Sequence, residues 1–398
     1  MRVLHVIPSI APRYGGPSTA VIGMNRALRA AGIDALVATT GADGPGELET
    51  RYDTIHDYER TRAIVFRRRW SESFKWSPAL ARWLGDHVRE FDLVHVHAVF
   101  SHASIAAGSA CRASGVPYLV RPLGTLDPWS LDHHRRRKQA LMALAAGRLL
   151  KGASAMHYTS DDERSLAEAR LPWLRRGVVV GLGIDDDCFL RTDEPASPRQ
   201  NVVLSLGRLH PKKRIEAIIE AFHATAVDTR FADWRLVIAG DGDRDYLAAL
   251  GRAAAAGRAA SRISFVGWVS GRDRLDLLRT AKLFVAPSHQ ENFGLALIEA
   301  LASATPVIVS PGVNLARDID AAGAGWVCDA PRVSLSHLLR TALASEETLR
   351  TKGARARRYA ERFRWPAVAN ALVKMYGDVL GESRRPLVGL DAAGSEAH

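Results

Sequence analysis

The sequence predicts an α/β protein built from two Rossmann-like, doubly wound domains that face each other across a cleft. Three observations lead to this prediction. At 398 residues the chain is long for a single domain. Short β-branched runs alternate with helical stretches, a pattern typical of a parallel sheet covered on both faces. A second series of the same kind begins after Asp185.

The predicted N-terminal domain comprises residues 1–185. A helix is expected from Thr19 to Ala31, and another over His102–Ala107 with Ser101 as its candidate N-cap. Length and apolar composition identify the strand candidates of this domain. They are Val3–Ile7, Ala35–Ala38, Ala63–Phe66, Leu93–Val96 and Tyr118–Val120.

The predicted C-terminal domain comprises residues 186–364, and the boundary falls in a polar, turn-rich stretch near residues 186–200. Ile215–His223 has a helical pattern. Residues 365–380 form an amphipathic helix that we expect to pack back toward the N-terminal domain, and residues 381–398 are predicted to be a flexible tail. The strand candidates are Val202–Leu206, Arg235–Ala239, Ile263–Val266, Leu283–Ala286 and Val307–Val309.

Composition restricts the class of protein. With 47% hydrophobic and 24% charged residues, both domains can bury a core. The three cysteines are far apart and match no metal-binding spacing, which fits a reducing compartment. No apolar run approaches the roughly 18 residues that span a bilayer. We therefore expect a cytoplasmic protein, peripheral to the inner membrane face at most.

The net charge of +11 is compatible with several partners. Nucleic acid, an anionic membrane surface and anionic substrates would all be attracted by it. Much of the excess is arginine in short clusters such as Arg67–Arg69 and Arg135–Arg137. Charge alone therefore does not identify the ligand.

The most informative segment follows the strand candidate Leu283–Ala286. Ligands of doubly wound sheets bind beyond the carboxyl ends of the strands. A helix is expected to begin at Gly294, where free N–H groups and the helix dipole attract phosphate. Glu291 precedes this helix and Glu299 lies inside it. Two carboxylates beside a phosphate site suit hydroxyl groups, such as those of a sugar and a ribose.

A second segment, Gly207 to Lys213, follows the strand candidate Val202–Leu206. Arg208 and Lys213 lie five residues apart across a turn, so both cations can converge at one strand end. Two converging cations suit the charges of a pyrophosphate leaving group. The alternative is an exposed basic turn.

Glu291 and Glu299, separated by seven residues, resemble the E-x7-E donor signature of retaining GT-B glycosyltransferases, in particular glycosyltransferase family 4. By this resemblance Glu291 would contact the hydroxyl groups of the donor sugar and Glu299 would hold the ribose. The amides of the segment between them would meet the diphosphate. Those amides belong to Asn292, Phe293, Gly294 and Leu295.

Other segments extend the resemblance over nearly the whole chain. Gly207–Lys213 resembles the family's G-R-x4-K element, which implies that Arg208 and Lys213 bind the diphosphate. Gly15-Gly16-Pro17 resembles its glycine-rich N-terminal loop, with Gly16 near the donor. Val180–Asp185 resembles its hinge, although Leu182 replaces an asparagine. Phe265–Trp268 lies where the family places a nucleotide-side loop.

The acceptor side departs from the family. Many members carry a histidine after the strand that corresponds to Tyr118–Val120, whereas this chain has Leu123. His97, Arg121 and Asp127 are the candidates that could replace it. Each could instead be a structural group. A further departure is Ala304, where the family usually has glycine before Thr-Pro.

We expect no metal and no cofactor apart from the nucleotide sugar as co-substrate. D-x-D occurs at Asp185–Asp187 and Asp241–Asp243, and we interpret both as turn residues. Arg208, Lys213 and the helix start would stabilise the leaving group. No P-loop motif occurs, and the acidic residues of the proposed site argue against nucleic acid as a partner.

The stretch from His133 to Lys151 is basic and amphipathic, and Trp70, Trp76, Trp83 and Trp129 lie in the same domain. It could lie on an anionic membrane, which would suit a lipid-linked acceptor. The alternative is an ordinary surface helix with one buried stripe.

The resulting hypothesis is a retaining transferase that moves a hexose from a nucleoside diphosphate sugar to a glycan or lipid-linked glycan, in polysaccharide or glycoconjugate biosynthesis. The C-terminal domain would bind the donor and the N-terminal domain the acceptor. The alternatives are an inverting GT-B transferase, a nucleotide-sugar epimerase, or a non-catalytic basic binding protein.

Overall fold

The computed structural model describes residues 1–70, 72–132, 135–174, 177–189, 199–329 and 333–383. The chain divides into two compact units. The N-terminal unit contains Met1–Tyr158, Leu166–Val180 and the segment that begins at Ala369. The C-terminal unit contains Thr159–Ser165 and Gly181–Val368. Most of the predicted linker and the predicted tail beyond residue 383 lie outside the described residues.

The N-terminal unit is built on a sheet of eight strands. A separate two-stranded hairpin follows the second strand along the chain. The strands are β1 (Arg2–Ser9), β2 (Asp34–Thr40), β3 (Ala42–Asp43), β4 (Gly46–Glu47), β5 (Ile55–Tyr58), β6 (Thr61–Phe66), β7 (Leu93–His97), β8 (Tyr118–Arg121), β9 (Ala155–Tyr158) and β10 (Gly177–Val179).

The order in this sheet is β10-β9-β8-β7-β1-β2-β6-β5. All neighbours are parallel except β5, which runs antiparallel to β6 at the edge. The chain direction across the sheet reverses between β1 and β7, so the ligand-binding edge of this unit is expected beyond their carboxyl ends. The central strands are buried on both faces, as parallel strands require.

Helices and one π-helical turn connect these strands. Ser101 caps its helix by accepting the amide of Ser104 at 3.2 Å, as predicted. The helices are α1 (Gly16–Ala30), α2 (Pro78–His87), α3 (His102–Ser114), α4 (Pro128–Asp132), α5 (Arg135–Leu141), the π-helical turn Met142–Ala146, α6 (Gly147–Gly152) and α7 (Asp161–Arg170).

The C-terminal unit is built on six parallel strands. They are β11 (Gln200–Leu206), β12 (Arg235–Ala239), β13 (Ile263–Gly267), β14 (Ala281–Ala286), β15 (Val307–Val309) and β16 (Gly325–Val327). Their order is β13-β12-β11-β14-β15-β16, the doubly wound order of a Rossmann sheet. The direction of winding reverses between β11 and β14, which defines the expected ligand edge.

The remaining helices cover the second sheet and close the chain. They are α8 (Ile215–Thr225), α9 (Arg244–Ala255), α10 (Gly271–Thr280), α11 (Leu295–Ala302), α12 (Ala316–Ala321), α13 (Val333–Leu343), α14 (Glu346–Ala360) and α15 (Trp365–Ser383). From Ala369 onward, α15 belongs to the N-terminal unit.

The predicted fold class, two Rossmann-like doubly wound domains, is confirmed. All ten strand candidates are strands. Two corrections concern the chain end and the sheet edges: α15 continues to Ser383, three residues into the predicted tail, and β5, β9, β10 and β16 were not expected. These strands are short, and the histidine in β9 and the polar residues of β5 break the apolar pattern.

The three cysteines are free and buried, as small apolar residues would be. Among the described residues, none of the helices combines the length and the apolar composition that crossing a bilayer requires.

Candidate active site

The loops after β11 and β12 meet backbone to backbone at the ligand edge of the C-terminal unit. A Cβ atom on Gly240 would lie 1.9 Å from the carbonyl oxygen of Gly207. Gly240 also has φ of 138°, a conformation that side chains disfavour. The amide of Leu209 donates to the carbonyl of Asp241 at 2.8 Å and links the two loops. These glycines therefore fix the direction of the basic segment that follows.

That segment places Lys213 against Glu291. A short 3₁₀ turn, Pro211–Lys213, is capped by His210, whose Nδ1 accepts the amide of Lys212 at 3.2 Å. The turn directs Lys213 Nζ into an ion pair with Glu291 Oε2. Both side chains are mostly buried, with 23% and 18% of their surface exposed. Two residues predicted to act on one substrate are thus in direct contact.

Burial lowers the pKa of Lys213, and the neighbouring charges of Lys212 and Arg208 lower it further. The carboxylate of Glu291 acts in the opposite direction, because an adjacent anion stabilises the ammonium form. Arg208 is exposed and lines, together with Lys213 and Ser288, a cavity of about 20 Å³ between β11 and β14. The predicted pair of cations therefore lies at the switch point of the sheet.

Glu291 itself is held by the loop after β15. Its amide donates to the carbonyl of Gly312 at 2.9 Å, and its carbonyl accepts the amide of Asn314 at 3.0 Å. The Asn292 side chain accepts from Asn314 Nδ2 at 3.1 Å and donates to Thr159 Oγ1 at 3.2 Å. These hydrogen bonds fix the backbone from which the Glu291 side chain projects.

The predicted helix start is confirmed. Gly294 has φ of 74° and precedes α11, which begins at Leu295 without a side-chain cap. The first N–H groups of such a helix are left for a ligand or water. Phe293 is buried and packs edge to face on Phe363, with ring centroids 5.4 Å apart. The Phe293 ring is therefore not available to a ligand, which can contact only the backbone of this residue.

Glu299 lies on α11 and forms an ion pair with Arg274 of α10. Only 7% of Glu299 is exposed. Burial raises the pKa of its carboxyl group; the charge of Arg274 opposes this rise and Asp185 adds to it. A buried carboxylate with a cationic partner is pre-oriented to accept hydrogen bonds from hydroxyl groups.

Arg274 and Asn314 were not identified from the sequence. Arg274 lies one turn inside the helix that follows β13, and Asn314 lies in the loop after β15. Both follow carboxyl ends of parallel strands, and that position was the available signal. What sequence could not show is the direction in which each side chain points.

In the N-terminal unit, Gly16 is the first residue of α1, and Gly15 before it has φ of 68°. The three acceptor-side candidates are interior residues: His97 and Arg121 are fully buried, and Asp127 is 1% exposed. Contact with an acceptor would require neighbouring side chains to move. Leu123 has φ of 60° in a tight turn at the end of β8, followed by Gly124 with φ of 70°.

A buried relay of hydrogen bonds lies on one face of the N-terminal sheet. His157 Nε2 lies 2.8 Å from the carbonyl of Val180, so this nitrogen carries the proton. His157 Nδ1 must then accept from His95 Nε2 at 3.0 Å. His95 Nδ1 in turn accepts from the hydroxyl of Tyr376 at 2.8 Å. The relay thereby connects β7 and β9 to α15.

His5, His95 and His97 also bring ring nitrogens within 4.8 Å of one another, a grouping that could hold a metal ion. However, both nitrogens of His95 already belong to the relay. The charge of Arg121 also reaches all three rings and lowers their pKa values, after burial as the main cause. A cation would have to break the relay beside a buried guanidinium, so these rings fit a structural layer better than a metal site.

The buried histidines His5, His95, His97 and His157 should make the protein sensitive to acid. Burial lowers the pKa of His5 and of His157 from 6.5 to about 3. Below pH 6.5 these histidines are protonated in the unfolded chain but stay neutral in the folded chain. The free energy of unfolding should therefore fall as pH falls toward 3. The slope is about 1.4 kcal/mol per pH unit for each such histidine. Urea unfolding at several pH values measures it.

The matched comparison is His157→Gln, which can still donate to Val180, against His87→Gln in α2. The first variant should show a shallower loss of stability between pH 7 and pH 4 than the wild type, and the second the same loss. An unchanged slope in His157→Gln would contradict the assignment of neutral, buried histidines.

Aspartates of both D-x-D sequences make hydrogen bonds within the protein. Asp243 caps α9 by accepting the amides of Asp245 and Tyr246. Asp241 Oδ1 accepts the amide of Gly242 at 2.8 Å. Asp185 accepts from Trp365 Nε1 at 3.0 Å.

A cavity of about 260 Å³ lined by Arg2, Asp34 and Glu90, among others, lies at the amino ends of the N-terminal strands, opposite the ligand edge.

The chain matches two family models in tandem. Residues 15–183 match the glycosyl transferase 4-like domain, and residues 188–359 match glycosyl transferases group 1. The fold agrees: Anabaena HepE, solved with UDP and glucose, superposes with a TM-score of 0.74 at 19% identity over 95% of this chain and 100% of that one. Sucrose-phosphate synthase from Thermosynechococcus elongatus superposes with a TM-score of 0.73 at 20% identity, over 96% of this chain and 100% of that chain.

Relatives of known activity are similar in sequence. The Mycobacterium tuberculosis GDP-mannose-dependent alpha-(1-6)-phosphatidylinositol dimannoside mannosyltransferase is 33% identical over 52% of this chain and 54% of its own. The chain thus spans about half the length of such relatives. The Komagataeibacter xylinus GDP-mannose:cellobiosyl-diphosphopolyprenol alpha-mannosyltransferase is 26% identical over 100% of this chain and 98% of its own.

The two Rossmann-like units have the GT-B fold of these solved structures. In sequence the chain is similar to the glycosyltransferase family 4-like group, because its two halves match the two domain models in tandem.

Proposed function

We propose that this chain is a retaining mannosyltransferase that uses GDP-mannose as donor and a glycan or lipid-linked glycan as acceptor. The observation that carries the proposal is the contact between Lys213 and Glu291 at the switch point of the C-terminal sheet. The contact supports the proposal because it brings together an ammonium group suited to a leaving diphosphate and a carboxylate suited to sugar hydroxyl groups. The choice of GDP-mannose is supported by the donors named for the two mannosyltransferase relatives.

The proposed donor site follows the E-x7-E pattern. Glu291 orients the mannose through its hydroxyl groups, and Glu299 accepts from the ribose hydroxyls. The amides at the start of α11 bind the diphosphate, assisted by Arg208 and Lys213. The division is supported by the geometry within the unit, because the helix start lies in sequence between a carboxylate before it and a carboxylate inside it.

Retention is proposed to proceed by attack on the face from which the diphosphate departs. The acceptor oxygen forms its bond to the anomeric carbon as the bond to the diphosphate oxygen breaks. The acceptor proton passes to the departing phosphate, so the step is balanced without a protein nucleophile. Stabilisation of the leaving diphosphate by cations and amides then carries most of the catalysis. We further propose that no metal ion is needed for this step.

A donor screen tests the proposal. GDP-mannose is expected to raise the unfolding temperature more than UDP-glucose or ADP-glucose, because a ligand bound only to the folded state stabilises it by mass action. Transfer measured with and without EDTA should be the same. NMR of the product should show the anomeric configuration of the donor. An inverted product would indicate the inverting alternative, and no nucleotide release from any donor would indicate a non-catalytic protein.

A second proposal concerns the membrane. The helical stretch from α5 to α6 exposes Leu144, with 71% of its surface accessible, among basic residues such as Arg135 and Arg148. Such a face suits peripheral contact with an anionic bilayer. Binding to phosphatidylglycerol vesicles measures it, and equal binding of a Leu144→Ser variant would argue against it.

A further inference from the structure

The loop between β6 and α2, described at residues 67–70 and 72–77, lies at the ligand edge of the N-terminal sheet. It follows the carboxyl end of β6, and the glycine-rich turn at Gly15 follows that of β1. Because β1, β2 and β6 are parallel neighbours, both segments leave the sheet at the same edge. We refer to residues 67–70 and 72–77 as the Trp70 loop.

The Trp70 loop is closed upon itself and tied to the glycine-rich turn. The amide of Arg69 donates to the carbonyl of Trp76 at 2.7 Å and closes the loop. Glu72 accepts from the Tyr14 hydroxyl and pairs with Arg68 and Lys75. Tyr14 lies directly before Gly15, so these contacts join the loop to the start of α1.

Trp70 projects from this closed loop. Of its surface 83% is exposed, the largest fraction among the large hydrophobic residues described. Its ring stacks on Trp76, with centroids 6.3 Å apart and planes inclined by 19°. Trp76 in turn contacts the ring of His102, with centroids 4.3 Å apart. The indole therefore has a supported inner side and an open outer side.

The backbone at Trp70 is also unusual. Its φ of 63° lies in the left-handed region, which bulky residues adopt rarely. Lys75, on the other side of the loop, has φ of 53°. Strained positions of this kind are concentrated at ligand-binding sites, where the surrounding structure maintains them. Here the contacts within the loop hold an aromatic ring in solvent. An exposed ring gains no free energy of burial, so its position is not explained by folding.

We propose that Trp70 is the platform on which a pyranose ring of the acceptor stacks. One face of a pyranose carries C–H groups, which an exposed indole face can cover and remove from water. A ring already oriented by Trp76 loses little freedom on binding. The identity of the ligand as an acceptor rests on the proposed function, but the stacking site itself does not require a donor.

The experiment is saturation-transfer NMR with methyl β-cellobioside and methyl α-mannoside as probes. Wild-type protein should give signals from the pyranose ring protons. Trp70→Ala should weaken the affinity about tenfold. Trp70→Phe, which keeps an aromatic face, should lose much less. Trp173→Ala, which removes another exposed tryptophan of the same unit, should bind like the wild type.

Trp70→Gly guards against a folding artefact, because glycine adopts φ of 63° without strain. It should be at least as stable as Trp70→Ala and equally weak in binding. Absence of ring signals with wild-type protein, or equal signals from wild type and Trp70→Ala, would overturn the proposal.

Two other outcomes separate this inference from its neighbours. If Trp70→Ala keeps the ring signals but no longer binds phosphatidylglycerol vesicles, Trp70 is a membrane contact and the proposal is wrong. If the pyranosides bind through Trp70 while no sugar nucleotide raises the unfolding temperature, the platform is upheld and the transferase proposal fails.

Discussion

Lys213→Ala is expected to lower kcat for sugar transfer by about 10²–10³-fold, the usual cost of removing one preorganised group that stabilises developing charge. Lys213 is held at the switch point by its 3₁₀ turn and by Glu291. Its charge would act mainly on the leaving diphosphate, where negative charge grows as the glycosidic bond breaks. Nucleotide release under saturating donor measures the effect, and thermal unfolding verifies that the variant is folded.

The matched control is Lys282→Ala. Lys282 also pairs with a glutamate, Glu346, but it lies at the amino end of β14, opposite the ligand edge. Its loss should leave kcat close to the wild-type value. Glu291→Ala should impair transfer as Lys213→Ala does. Near-wild-type turnover in both site variants would remove the basis of the proposed donor site.

Arg274→Met is expected to weaken GDP binding and to destabilise the fold by about 2 kcal/mol. Removing one partner of a fully buried ion pair costs about 3–5 kcal/mol, and partial exposure of Arg274, at 28%, reduces this. Burial already raises the pKa of Glu299. Without Arg274 the pKa should rise further, so the loss of stability relative to the wild type should grow as pH rises from about 4.5 through that pKa. Urea unfolding at pH 5 and pH 8 measures the difference.

The double variant Arg274→Met with Glu299→Gln separates stability from binding. It leaves no buried charge, so most of the lost stability should return. GDP affinity should stay low, because the carboxylate proposed to accept from the ribose is gone. Recovery of wild-type GDP affinity would show that Glu299 has only a structural role.

The strands of both sheets were predictable because buried parallel strands are continuous apolar runs. The same alternation predicts a parallel, doubly wound second sheet, and with it the edge at which ligands bind. Gly294 was predictable for a local reason, since a left-handed residue before a helix favours glycine. The pairing of Lys213 with Glu291 crosses 78 residues. That the two residues act at one site could be predicted only because the segments of both residues resemble motifs of one family.

Other features depend on tertiary structure. The His95–His157 relay could not be recognised, because its members lie on different strands and are polar residues in an apolar pattern. Arg274 lacks a motif of its own. Ala304 has φ of 56°, the conformation for which the family's glycine is suited. The replacement of glycine by Ala304 was visible in the sequence, but the unfavourable positive φ that alanine adopts there was not.

The hydrogen bond between the Tyr376 hydroxyl and His95 affects how the chain folds during its synthesis. The first 158 residues form most of the N-terminal unit, yet the helix that carries Tyr376 is translated more than two hundred residues later. Until then His95 Nδ1 lacks its hydrogen-bond donor. A ribosome-bound chain should therefore hold this half in an incomplete, chaperone-accessible state, and cutting the gene near residue 180 should yield a fragment that needs the helix supplied separately.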